Sequence, residues 1–220
     1  MLLTTALLVF SAALPAFAAG ADAPADPAGE FRVPACSTAA AASWTGFDGP
    51  WLKWRAPKAW AVADSLARWE PAASTSVYRR LFVDVDASLK ASPKTAVSAF
   101  GMLVPGKAPA AAVWLEQTLA HARVRGDYVL GRAGTVRVPG RGECALGVVE
   151  HNARLACGGG PEVVCRRAAL HLDCGVKDGV ELLIAAKTPG YKVRGAPDGK
   201  AAAALADIKT FLCTLESKGR

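Results

Sequence analysis

The residues able to do chemistry are six cysteines, three histidines and a crowd of arginines. Cys36, Cys144, Cys157, Cys165, Cys174 and Cys213 contain no Cys-x-x-Cys pair and no close Cys/His grouping, so neither a redox motif nor a zinc ribbon is spelled out. Their even number reads instead as three disulfides, provided the chain matures in an oxidising compartment. His121, His151 and His171 belong to neither a His-Glu-x-x-His helix nor a Gly-x-Ser-x-Gly elbow. A metal site at His151 and His171 would need Asp173 or Glu143 as third ligand, and the same face would house a hydrolase that lacks a recognisable motif. Asp84 and Asp86 alternate onto one side of a strand, which suits paired carboxylates but more often marks a wet face. Gly131, Gly134, Gly140 and Gly142 lack the strand-to-helix setting and the Gly-Lys-Ser/Thr ending of a phosphate loop, so turns and bulges account for them. These residues assign no catalytic group, no metal and no cofactor.

Charge supplies a broader lead. The chain has 26 Lys and Arg against 19 Asp and Glu, a formal charge of +7. Arg123, Arg125, Arg132, Arg137 and Arg141 crowd one stretch, and a hairpin brings Arg166 and Arg167 toward them. Such a face is a candidate anion-binding surface for anionic lipid, lipopolysaccharide, acidic polysaccharide or another envelope protein. No nucleic-acid recognition motif accompanies it. Five of the six tryptophans lie between Trp44 and Trp69, where they serve either a stacking surface or the core.

These groups need a frame and an address. An apolar content of 52% with 20% charged residues excludes a disordered chain, and there is neither a glycine period nor a sustained heptad. Leu2 to Phe17 is an uncharged apolar run ending in Ala16-Phe17-Ala18, the small-x-small pattern of a signal-peptidase site. Residues 1–18 are therefore expected to be a signal peptide, 19–40 a flexible Pro/Ala-rich leader, and 41–217 a single disulfide-stapled domain, secreted or periplasmic.

Within that domain, Glu143 to Cys157 and Val163 to Cys174 alternate like strands around the Gly158-Gly159-Gly160-Pro161 turn signal. An antiparallel hairpin centred on Gly159 sets Cys144 opposite Cys174, Leu146 opposite Leu172 and Val148 opposite Leu170. The opposite face then carries Gly147 against His171 and His151 against Arg167. Cys157 and Cys165 flank the glycine loop, which leaves Cys36 for Cys213. Further strands are expected at Phe47 to Ala56, Trp60 to Ala63, Tyr78 to Asp86, Val97 to Val104, Tyr128 to Val138 and Val180 to Ala186. The spacing of Ala111, Ala112, Leu115, Leu119 and Ala122 predicts a helix over 109–123. Ala204, Leu205, Ile208, Phe211, Leu212 and Leu215 predict a closing helix over 200–216. The fold class is α+β: one mostly antiparallel sheet of about six to seven strands, covered by a mid-chain and a C-terminal helix.

The stretch Leu52-Lys53-Trp54-Arg55-Ala56-Pro57-Lys58-Ala59-Trp60-Ala61-Val62 resembles the opening of PsbP-like domains, in which a strand ends in Pro-x-x-Trp and a second strand continues. The order that follows, ending in a strand-loop-helix from Glu181 to Glu216, is similar to that family's α/β/α sandwich, and the likeness spans residues 47–216. The disulfides are not part of that pattern. The resemblance implies an exported, non-enzymatic accessory or binding domain and supplies no catalytic residues to carry over. On this reading the protein is a binding or accessory module that contacts an anionic envelope component through its arginines. A secreted or periplasmic hydrolase centred on His151, His171 and Asp173 is the alternative.

Overall fold

The computed structural model describes residues 26–49, 51–62, 68–71, 80–89, 92–103, 113–152 and 164–218. The expected signal peptide, Cys157 and the Gly158–Pro161 turn lie outside these residues. Among the described residues no helix is long and apolar enough to cross a membrane.

The chain is α+β, with antiparallel sheets and two helices. It does not form the single sheet of six to seven strands expected from the sequence. A three-stranded sheet joins β1 (Thr45–Asp48), β2 (Leu52–Ala56) and β11 (Glu216–Ser217) in that order. The remaining strands are β3 (Trp60–Val62), β4 (Arg68–Pro71), β5 (Arg80–Leu89), β6 (Ser92–Leu103), β7 (Tyr128–Val138), β8 (Gly142–Asn152), β9 (Arg166–Lys177) and β10 (Val180–Lys187). They form an eight-stranded sheet in the order β3-β5-β6-β10-β9-β8-β7, with β4 sharing the edge of β5. Helix α1 (Val113–Val124) connects β6 to β7, and α2 (Gly199–Thr214) precedes β11.

The long strand expected from Phe47 to Ala56 is in fact the β1–β2 hairpin. Its turn begins at Asp48-Gly49, and the Gly49 N–H donates to the Leu52 carbonyl at 2.9 Å. The β8–β9 hairpin keeps the expected register, with Leu146 opposite Leu172, Gly147 opposite His171 and His151 opposite Arg167. Alternation along β8 then decides which helix sees which side chain. Leu146 and Val148 point into the main core with Leu205, Ile208 and Phe211 of α2, whereas Val149 packs with Leu115, Leu119 and Ala122 of α1. The two helices therefore cover opposite faces of the large sheet. Gly147 lets α1 lie close: a Cβ there would stand 2.7 Å from Leu115 Cδ1.

Gly131 and Gly134 occupy the two register shifts of β7 against β8 with φ of +101° and +109°, as bulge glycines do. Two of the tryptophans build the main core. Trp54 and Trp60 are buried against Phe211, with ring centroids 5.9 and 5.5 Å away.

The segment expected to be a flexible leader also needs correcting from Asp26 onward. Phe31 is fully buried in the main core with Ala28, and the Lys209 ammonium of α2 donates to the Glu30 carbonyl. Cys36 bonds to Cys213 with Cα atoms 5.2 Å apart, and Cys144 to Cys174 with Cα atoms 4.2 Å apart. Cys165 is disulfide-bonded as well.

Candidate functional site

The face of the large sheet that carries His151, His171 and Asp173 is covered by α1, so it is not the solvent face that a polar alternation suggests. Asp173 is buried and holds the start of that helix: Oδ2 accepts the Leu115 N–H at 3.0 Å and Oδ1 accepts the Gly175 N–H at 2.8 Å. A carboxylate at this position satisfies a helix-end donor and faces the positive end of the helix dipole. Both of its oxygens are thereby engaged in holding the backbone.

His171 lies against Trp114, with ring centroids 5.7 Å apart. Burial, reinforced by the charges of His151, Lys187 and Arg125, lowers its pKa to about 4, and its Nδ1 has no hydrogen-bond partner. It is therefore a neutral packed ring at ordinary pH. Among the described residues no group of three His, Cys, Asp or Glu side chains is arranged to hold a metal ion.

The carboxylate that does serve a histidine is Asp127, which the sequence reading passed over. Asp127 Oδ1 stands 2.9 Å from His151 Nδ1, and its Oδ2 accepts from Arg125 Nε at 3.2 Å. Partial burial alone would raise the Asp127 pKa, but hydrogen bonds and charge from His151 and Arg125 outweigh it and hold the carboxyl below its ordinary range. Among the described residues His151 makes no hydrogen bond to a serine, threonine or cysteine, so the nucleophile-base-carboxylate chain of a hydrolase is not assembled there. His121 is exposed in the last turn of α1, and Asp84 and Asp86 fall on β5 with side chains outside the description.

The seven candidate arginines do not make one surface. Arg132 donates to Glu116 of α1 through Nε and Nη2, at 2.9 and 2.6 Å. Arg137 is exposed further along β7. Arg141 lies at the opposite end of that strand, donating to Ser217 Oγ and the Val180 carbonyl, and burial lowers its pKa from the usual arginine value. The other four, Arg123, Arg125, Arg166 and Arg167, lie at one end of the large sheet, where α1 ends and where β7 and β9 begin beside the end of β8.

That end gains two cations the sequence did not mark. Residues 188–198 fold back onto it, with Tyr191 and Arg166 exchanging backbone hydrogen bonds at 2.8 and 2.9 Å and Arg166 Nη1 donating to the Lys192 carbonyl. Lys192 is thereby set at the rim, and Arg194 lays its guanidinium 3.7 Å over the Tyr128 ring. Beneath them Glu150 is buried. Its Oε1 accepts from the Tyr191 hydroxyl and from the Gly195 N–H at 2.8 Å, and Arg194 Nε stands 4.0 Å from Oε2. Burial and the neighbouring carboxylate push the Tyr191 pKa upward, so the phenol stays a donor. Lys192 and Arg194 escaped notice because their segment has no periodicity.

Compared with known proteins, the chain matches no family model and no curated protein sequence. The functional reading therefore rests on this geometry.

Proposed function

We propose that the protein is an exported, disulfide-stapled binding module that engages an anionic envelope component at the basic end formed by α1, β7, β8 and β9. The observation that carries this is the imbalance of charge at that end. Among the described residues Arg123, Arg125, Arg166, Arg167, Lys192 and Arg194 share their end with two carboxylates, and both are already engaged. Asp127 is held by His151 and Arg125, while Glu150 is buried under Tyr191 and Gly195. Arg123 and Lys192 are exposed and have no carboxylate partner among the described residues. Among the described residues the cations of this end outnumber its carboxylates, and a net positive field attracts polyanions and weakens with salt.

The placement of α1 and α2 on opposite faces of the large sheet supports the PsbP-like resemblance, and with it an accessory role in place of catalysis. The bonded cysteines support maturation outside the cytosol. The direct test is retention on a heparin matrix, with heparin standing for an acidic polysaccharide. The double variant R123Q/K192Q is expected to elute at clearly lower salt than the parent while unfolding at the same temperature. Elution at unchanged salt would remove this end as the anion-binding surface.

A further inference from the structure

Charge alone does not describe the basic end. The large apolar side chains that stand exposed among the described residues are Val124, Tyr128, Val164 and Val193, at 87%, 40%, 55% and 51% exposure. All four lie at this one end. Val124 closes α1, and Tyr128 opens β7 under the Arg194 guanidinium. Val164 stands two residues before Arg166, whose backbone bonds to Tyr191, and Val193 directly follows Lys192, whose carbonyl Arg166 holds. Single exposed valines are ordinary on any protein surface, but a set gathered on one rim and interleaved with cations is not a scatter.

The two kinds of side chain discriminate between anionic partners. An acidic polysaccharide is hydrated throughout and offers nothing to isolated valines. A bilayer of anionic lipid offers phosphate groups at the level of the arginines and lysine, and acyl chains a few ångströms deeper for the valines. A tyrosine ring is suited to the boundary between them. We propose that this end docks on an anionic lipid bilayer surface, with Arg123, Lys192 and Arg194 at the phosphates and Val124, Val164 and Val193 dipping below them. The proposal rests on the anion-binding reading above and narrows its partner to a lipid surface.

The experiment is co-sedimentation of the protein, recovered from the exported fraction, with vesicles of phosphatidylglycerol and phosphatidylcholine in equal parts and with vesicles of phosphatidylcholine alone. Heparin retention is run beside it. Binding is expected to the mixed vesicles and to be lost on pure phosphatidylcholine. The triple variant V124S/V164S/V193S is expected to bind the mixed vesicles roughly tenfold more weakly with heparin retention unchanged. R123Q/K192Q is expected to weaken both, by about fivefold per charge on vesicles. Because the altered side chains are exposed, thermal unfolding is expected to stay the same, and it is measured for each variant. Heparin retention that depends on Arg123 and Lys192, with no vesicle binding or with no effect of the valine changes, overturns the lipid assignment and leaves the anion reading standing. Loss of neither activity in R123Q/K192Q overturns both.

Discussion

His171 and Asp173 occupy the same face of β9 two residues apart, and α1 gives them opposite duties. Asp173 accepts the Leu115 and Gly175 N–H groups at the helix start, whereas His171 is packed against Trp114 and kept neutral. The histidine has a consequence for stability that can be signed. Its folded pKa lies near 4 and its unfolded value near 6.5, so between these limits the unfolded chain binds a proton that the folded chain refuses. Stability is fully present above the unfolded value and declines as the pH drops toward 4. Burial enforces this first, then the charges of His151, Lys187 and Arg125. Asp127, whose carboxyl is held below its ordinary 3.8, loses its contribution only at more acid pH, so the two effects separate. Urea unfolding is expected to show a loss on the order of a few kcal/mol between about pH 7 and pH 4, and H171F is expected to abolish that slope. A slope of equal size in H171F would assign it to other groups. The sequence placed both residues on one face correctly, since strand alternation fixes that. It could not show that a helix covers the face, because no local pattern in β9 names its partner.

The β8–β9 hairpin was readable because its apolar and polar residues sort onto faces only in one register, and a cysteine pair falls at matching positions in it. Helices α1 and α2 were readable from their stripes, of which Leu115, Leu119 and Ala122 in one and Ala204, Leu205, Ile208, Phe211 and Leu212 in the other are buried. The split into two sheets was not. It depends on β11, only two residues long, pairing with β2 at the far end of the chain, and on Asp48-Gly49 turning what looked like one strand into two. The disulfides tie these elements unequally. Cys36 and Cys213 are separated by 177 positions and Cys144 and Cys174 by 30. On loop entropy, C36S/C213S is therefore expected to cost about 1.5 kcal/mol more than C144S/C174S. The first pair also anchors the arm that buries Phe31, which adds to its cost. Chemical denaturation of the two double variants measures the difference. Equal losses, or a larger loss in C144S/C174S, would mean that the arm is held by Phe31 and its neighbours without help from the bridge.

At the level of the complete chain, two physical choices are visible. The core is built from both faces of one large sheet, with Trp54 and Trp60 spent on packing. Six cations, by contrast, stand at one end with the exposed valines, and of these Arg123 and Lys192 are exposed. The arginines of that end were visible as a crowd in the sequence. Their separation from Arg132, which pairs with α1, and from Arg141, which ties down Ser217, is a matter of three-dimensional partners that spacing does not contain. All of this presupposes a protein that leaves the cytosol, oxidises its cysteines and meets its partner in the envelope. Intact mass of the natural protein from the exported fraction, taken before and after thiol labelling without reductant, tests that most directly. The expected result is a chain beginning at Ala19 that takes up no label. A chain that keeps its leucine-rich start, or that labels at its cysteines, would contradict it.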